Sequence, residues 1–276
     1  MSAYGDYAAL ARLVDALRPY LDDLTLVGGW AHRLYPHFRE EPPPFEPLTT
    51  EDADVATPID VRVREGSLAE RLQRAGFVAE RSGDGDPPVE HYRHGDDGGF
   101  TVEFLCSQGG SGVRKDGTPD GTVDVAGVTA QRLRYLEILS LKRWTLTIGV
   151  SKGFPLEDGD AAIHLPNPVS YLVQKVLVLH RRKPGEQPKD VLYVHDTLLM
   201  FAASLEGLRP LARDVLAEMH PGWVTKFHER RARMFAAVND NLIGAAEIAK
   251  SVGRARPSSP QAIQAVCLRG FAQLFD

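Results

Sequence analysis

The hydrophobic pattern changes character once along the chain. Up to about residue 165, short apolar runs and alternating stretches are interrupted every few positions by Gly, Pro and Asp. Beyond it, apolar residues recur at helical spacing almost to the last residue. Leu10, Leu13, Val14, Leu17 and Leu21 predict an amphipathic helix over 8–21. A short apolar run, 24–27, predicts a strand that stops at Gly28-Gly29, with a helix over 30–38 behind it. The Pro-rich acidic stretch 40–47 is a loop. Residues 52–63 (DADVATPIDVRV) largely alternate and read as β. Ser67 with Glu70 three positions on forms a capping box, opening a helix that Gly76 closes. Strands are predicted over 77–79, 89–92 and 100–106, the last two as a hairpin turned at 96–99. The Gly- and Asp-rich stretch 108–122 reads as a mobile loop, and two further strands fall at 142–148 and 161–165.

Asn167-Pro168 has the form of an N-cap followed by a first-turn proline, and Ser259-Pro260 repeats it. Helices are predicted over 168–182, 188–204, 207–219, 222–240, 241–252 and 259–274. No internal repeat is visible. The pattern divides the chain into domains at 1–165 and 166–276. It predicts an α+β fold, with a mixed sheet flanked by helices followed by a helical bundle.

Composition narrows the class. The chain has 276 residues and 30.4 kDa, with 25% charged and 43% hydrophobic residues, which excludes a disordered, collagen-like or coiled-coil protein. Two cysteines, Cys106 and Cys267, exclude a disulfide framework and a multi-cysteine zinc module. The first residues lack a basic segment followed by an apolar core. The longest apolar stretch, near 170–179, is broken by Gln174 and Lys175 and is too short to span a bilayer. A soluble, cytoplasmic protein is expected, with no membrane partner. The net charge of −5 is uneven: residues 1–165 carry 17 Lys/Arg against 27 Asp/Glu, and residues 166–276 carry 15 against 10. An acidic half suited to metal beside a basic half suited to phosphates is one reading, and chance surface variation is the other.

Four groups of residues carry candidate chemistry. In LTLVGGWA a strand runs into Gly28-Gly29 and a helix, so backbone N–H groups can approach a phosphate closely; a plain tight turn is the alternative. There is no Gly-Lys-Ser/Thr of a P-loop and no third glycine of a dinucleotide fingerprint. In TTEDADV, Asp52 and Asp54 are two apart in a β-like run, which puts both carboxylates on one face about 7 Å apart. Oxygen ligands that repel one another suit Mg²⁺, though a solvated strand end would look the same. Glu103, between Val102 and Phe104, lies in a strand that otherwise looks buried. It either completes a three-carboxylate set or faces solvent, and Asp60 is its rival. In the helical half, Lys175 interrupts an apolar helix face, followed by Arg181, Arg182, Lys189, Asp190 and Asp196.

In this order, these motifs resemble the nucleotidyltransferase superfamily with its DNA polymerase β-like fold. The closer resemblance is to the bacterial AbiEii/MenT-like toxin group, which has Thr-x-Asp-x-Asp (here Thr50, Asp52, Asp54) and a later Lys…Arg…Lys-Asp…Asp block (Lys175, Arg181, Lys189, Asp190, Asp196). Two departures stand out. The 23-residue gap from Gly29 to Asp52 is long, and the turn is Gly-Gly-Trp without the common serine. The resemblance implies Mg²⁺ or Mn²⁺ held by Asp52, Asp54 and Glu103, and an NTP as substrate. Gly28, Gly29 and Thr50 would lie at the phosphates. Lys175 and Arg181 would neutralise the leaving pyrophosphate, and Lys189 and Asp190 would fix the nucleotide or the domain junction. It further implies a tRNA 3′ end as acceptor and a cognate antitoxin as partner. Arg230, Arg231 and Arg233 are the densest basic cluster, which can equally be a solvated helix face. A protein or small-molecule acceptor, a nucleotide-binding module without transfer, and a metal-dependent nuclease stay open. The remaining histidines, His91 among them, read as ordinary surface or core residues.

Overall fold

The computed structural model of the chain describes residues 3–43, 45–83, 87–95, 99–115, 117–252 and 259–276. It forms two compact units, Met1–Ala31 with Thr49–Pro166, and His32–Leu48 with Asn167–Asp276. The Pro-rich stretch before residue 48 thus groups with the helical unit, where the sequence pattern alone drew one border at 165.

The first unit contains α1 (Ala3–Leu17), β1 (Thr25–Val27), the start of α2 (Gly28–Leu34), β2 (Asp52–Ala56), α3 (Leu68–Arg74), β3 (Val78–Ser82) and β4 (Val89–His94). It continues with β5 (Phe100–Ser107), β6 (Thr122–Val125), β7 (Val128–Leu133), β8 (Trp144–Ile148) and β9 (Ala161–Leu165). A mixed sheet runs β1-β2-β5-β4-β3, and β7, carrying β6 on its other side, also pairs with β5. β2 and β5 are parallel, whereas β1 with β2 and β4 with β5 are antiparallel. β5 is the central strand: its first half pairs with β4 and its last residues, Leu105–Ser107, pair with β7. β8 and β9 make a separate antiparallel pair.

Alternation along the strands explains the two faces of the sheet. Ala53, Val55, Tyr92, Val102 and Phe104 are buried on one face. Leu13, Val14 and Leu17 of α1 share an apolar space with Leu26, Val55 and Ile163. On the other face Val27, Ala56, Leu105, Leu136 and Leu139 form a second apolar cluster. That cluster covers only the end of the face beyond Asp54 and Glu103, so the polar residues of β2 and β5 are left at its border.

Several local expectations hold. Ser67 accepts from Glu70 N–H while the Glu70 carboxylate accepts from Ser67 N–H, forming the capping box. β4 and β5 pair antiparallel as the expected hairpin; the turn placed at 96–99 falls on 96–98, outside the described residues. Elsewhere the structure departs from the sequence pattern. The β-like run from 52 stops at Ala56: Thr57 N–H still bonds to Leu105 O of β5, but Pro58 brings no donor to carry the ladder on. The stretch after residue 121 is a β-hairpin, β6–β7, which the sequence reading did not anticipate. Its two-residue loop, Ala126-Gly127, has φ of 47° and 92°, the positive pair of a tight hairpin turn.

The second unit is helical: α4 (Pro168–Val178), α5 (Gln187–Met200), α6 (Arg209–Glu218), α7 (Pro221–Met234), α8 (Asp240–Val252) and α9 (Pro260–Phe275). Asn167 accepts from Ser170 N–H and Ser259 from Ala262 N–H, so both predicted caps form. α4 ends at Val178, four residues early, in a 3-10 turn over Leu179–Arg181. α5 packs on α8, α9 and α4. Its Val191, Leu192, Val194, Leu198 and Met200 are buried, as are Phe227, Phe235 and Phe271. Among the described residues no helix is long and apolar enough to cross a membrane.

Candidate active site

The parallel register of β2 and β5 pairs Asp52 with Thr101 and Asp54 with Glu103. Side chains paired this way leave the same face of the sheet, on strands about 4.8 Å apart. The Asp52, Asp54 and Glu103 carboxylates therefore occupy one face, Asp52 exposed and the other two half-buried. Asp60 lies in an exposed turn after β2 has ended, so it is not on that face. Thr50 precedes the strand, and its hydroxyl closes a local turn with the backbone of Asp52 at 3.4 Å.

The glycine turn abuts the same carboxylates. β1 is antiparallel to β2 and pairs Val27 with Asp54, so Gly28 emerges beside that side chain. Gly28 has φ of 63°, and a Cβ placed on it would fall 1.9 Å from Asp54 Oδ2. Glycine is therefore required twice over, by its backbone angle and by the closeness of the carboxylate. Trp30, two residues on, is fully buried and stands edge-on to Phe100 with ring centres 5.9 Å apart. It packs the turn from behind rather than offering a surface to a base.

Glu103 has a partner that sequence reasoning missed. His91 is its cross-strand neighbour on β4, with Nδ1 2.9 Å from Glu103 Oε1. The other ring nitrogen, Nε2, is 2.8 Å from Ser82 Oγ on β3. Arg93 and Glu80 form an adjacent ion pair at 2.5 Å, also linking β4 and β3. His91 lies 12 positions from Glu103 and Ser82 lies 9 from His91. Only the hairpin registers bring them together, and no spacing rule in a single sequence shows that.

A divalent metal tests differently against the two kinds of donor present. Asp52 and Asp54 offer the hard oxygen ligands that Mg²⁺ takes, and Mg²⁺ commonly uses one or two carboxylates with substrate phosphates and water completing its shell. Among the described residues, no three His, Cys, Asp or Glu side chains converge on one ion position. The residues fit a metal that arrives with its nucleotide, and do not form a closed all-protein cage.

In the helical unit, Lys175 and Asp190 are both buried, and Lys175 Nζ donates to Asp190 Oδ1 at 2.6 Å. Arg182 Nε donates to Asp190 Oδ2 at 3.2 Å. The ammonium also lies 4.9 Å from the centre of the Tyr193 ring and 5.5 Å from that of Tyr171. Lys175 is thus a buried, paired cation, and Asp190 is its counter-ion. Arg181 and Lys189 are exposed. Asp196 is fully buried, with His195 Nδ1 2.9 Å from its Oδ1. Arg230 donates to Leu177 O, and Arg231 to Phe271 O and Asp276, so two members of the basic cluster hold helices together. Arg233 is exposed. Burial pushes the Cys106 thiol up to about 11, which suits packing and not nucleophilic chemistry.

The sequence matches the nucleotidyltransferase family over residues 6–208. No curated protein matches it closely. Among solved structures it is similar to an antigenic nucleotidyltransferase-like protein from Paracoccidioides brasiliensis, at 15% identity and a TM-score of 0.35, covering 81% of this chain and 93% of that one. It is also similar to MenT4, a nucleotidyltransferase toxin from Mycobacterium tuberculosis H37Rv, at 15% identity and a TM-score of 0.42, covering 98% and 83%. The family match spans well over half of the chain, and the chain belongs to the nucleotidyltransferase family.

Proposed function

We propose that this nucleotidyltransferase moves a nucleoside monophosphate from an NTP to a hydroxyl of RNA, with a tRNA 3′ end as the acceptor. The observation that carries the reading is the alignment of Asp54 with Glu103 across β2 and β5, with Gly28 pressed against Asp54. Three carboxylates on one open sheet face beside a glycine turn suit a metal-bound triphosphate.

Asp52 and Asp54 would hold Mg²⁺ or Mn²⁺, with Glu103 as the third carboxylate. The metal, when bound, supplies charge neutralisation at the phosphates and a lower pKa for the acceptor hydroxyl. Gly28 and Gly29 let the phosphates approach the backbone without a side chain in the way. Thr50 fixes the entry of β2 through its turn with Asp52. In the overall reaction the acceptor oxygen bonds to the α-phosphorus, the bond to the β-phosphate oxygen breaks, pyrophosphate leaves and the hydroxyl proton is lost. Lys175 serves the helical unit as the buried partner of Asp190, while Arg181 and Lys189 are the exposed cations of the same motif. The toxin role, with a protein antitoxin as partner and the cytoplasm as its place of action, rests on the Thr50-x-Asp52-x-Asp54 pattern and the Lys-Asp block.

The test is transfer of label from each of four α-³²P-labelled NTPs to total RNA with Mg²⁺, beside an Asp52→Ala/Asp54→Ala control. Label in RNA with the wild type alone supports the proposal and names the nucleotide. Label in protein or in a small molecule replaces the acceptor. A second reading, a nucleotide-binding module without transfer, is favoured by one observation: Glu103 is already engaged by His91. NTP binding with no transfer to any acceptor would establish it.

A further inference from the structure

We propose that His91 is a positioning residue for the third carboxylate, held in one orientation by Ser82. This rests on the metal reading above and deepens it. Asp54 and Glu103 are direct neighbours in parallel strands, so two like charges stand side by side on one face. An arrangement of that kind is unfavourable unless something draws the charges apart or neutralises them. His91 approaches Glu103 from the strand opposite to Asp54, since β5 lies between β2 and β4. Its Nδ1 is 2.9 Å from Oε1, so the bond holds that oxygen on the β4 side of the strand.

The chemistry of the partners fixes the proton. An ionised carboxylate can only accept, so Nδ1 must carry the hydrogen. Nε2 is then an acceptor in the neutral ring, and the Ser82 hydroxyl 2.8 Å away can donate to it. A neutral imidazole satisfies both contacts, and β3, β4 and β5 each contribute one member of the chain Ser82–His91–Glu103. Only one Glu103 oxygen is committed. Oε2 stays outside the His91 bond as the oxygen for a cation or an acceptor hydroxyl. Partners of this kind behind a metal-ligating carboxylate commonly change affinity or activity by 10–100-fold when removed.

The test measures Mn²⁺ affinity by electron paramagnetic resonance, with a non-hydrolysable nucleotide present. Four variants are compared with the wild type: His91→Phe, His91→Asn, His91→Gln and Ser82→Ala. Phe removes both bonds. Asn places an N–H near the position of Nδ1 and keeps the bond to Glu103, whereas Gln places it toward Ser82. The expected result is that Phe and Gln weaken Mn²⁺ by roughly ten-fold or more, and that Asn recovers most of the loss. Ser82→Ala should fall between the wild type and Phe. In the transfer reaction, Phe should lower kcat with KM for the NTP little changed. Thermal melting of each variant separates this from a purely structural stitch between strands, which would lower the melting temperature and leave Mn²⁺ affinity alone.

Equal affinity in the wild type, Phe and Gln overturns the proposal while leaving the metal site standing. Nitrogen coupling to Mn²⁺ that disappears in His91→Phe also overturns it, because His91 would then be a ligand itself. No Mn²⁺ binding by the wild type overturns the metal reading and this proposal together.

Discussion

Replacing Gly28 by alanine probes the site through a single methyl group. Two costs are expected. At φ of 63° an alanine must adopt the left-handed conformation, which costs about 1–2 kcal/mol. The new methyl would also sit 1.9 Å from Asp54 Oδ2, where ordinary contact begins at 3.4 Å, so the carboxylate must retreat by about 1.5 Å. Forcing the side chain off its rotamer adds about 0.5–1.5 kcal/mol. The sum is about 1.5–3.5 kcal/mol, which for a unit of this size lowers Tm by roughly 3–14 °C. Function should suffer more than stability, since a displacement of about 1 Å at a reacting centre can cost about a hundred-fold in rate. The assay is a double-mutant cycle with Asp54→Ala, read by thermal melting and, for Gly28→Ala alone, by label transfer from α-³²P-NTP. With Asp54 truncated the collision disappears and only the backbone cost should remain. If Gly28→Ala costs the same with and without Asp54, or transfers label at the wild-type rate, the close approach of turn and carboxylate is refuted.

Other consequences can be measured directly. Lys175→Met leaves the buried Asp190 carboxylate with the Arg182 guanidinium but without its ammonium, and should cost about 3–5 kcal/mol in urea unfolding. Lys175→Met/Asp190→Leu should recover part of that, and a single variant within 1 kcal/mol of wild type would contradict the buried pairing. Burial pushes the Glu90 carboxyl up, but hydrogen bonds from Thr129 N–H, Arg81 and Tyr92 outweigh it and set it below the usual carboxylate range. Because the folded value is depressed, its stabilisation is full above about pH 4.3 and is lost as pH falls through the folded value. Glu90→Gln should flatten that acid limb, and an unchanged pH–stability curve would count against the network. Cys106 and Cys267 are buried free thiols raised by burial, and should resist a thiol reagent until the protein unfolds. Rapid labelling of both under native conditions would show that their surroundings open.

What could be read from the sequence was local, and what could not was set by register. The caps at Ser67, Asn167 and Ser259 were legible because each is decided within four residues. Asp52 and Asp54 were placed on one face by alternation alone. The β6–β7 hairpin was hidden because its turn is Ala126-Gly127, where the usual signal for two positive φ values is Asn-Gly or Asp-Gly. The strand from Asp52 was overrun to residue 63 because alternation continues past Pro58 although hydrogen bonding does not. Glu103 and Asp60 were rivals in the sequence, and only the register of β2 with β5 places Glu103 beside Asp54. His91 and Ser82 carried no signal, since their relation to Glu103 exists only after three strands have aligned.

The pairing of β2 with β5 has a bearing on how the protein comes into being. Asp52 meets Thr101 across about fifty intervening positions, with α3 and the β3–β4 hairpin inserted between them. Contacts this remote form late, because the loop must close before they repay its entropy. A chain emerging from the ribosome can complete the α3 capping box and the β3–β4 hairpin while Asp54 still faces an empty edge. The three carboxylates become neighbours only once the residues through Ser107 are available to add the central strand. Assembly of this carboxylate face is therefore tied to the most distant strand pairing of the main sheet among the described residues, and fragments or partly unfolded molecules lack it even when their helices and hairpins are intact.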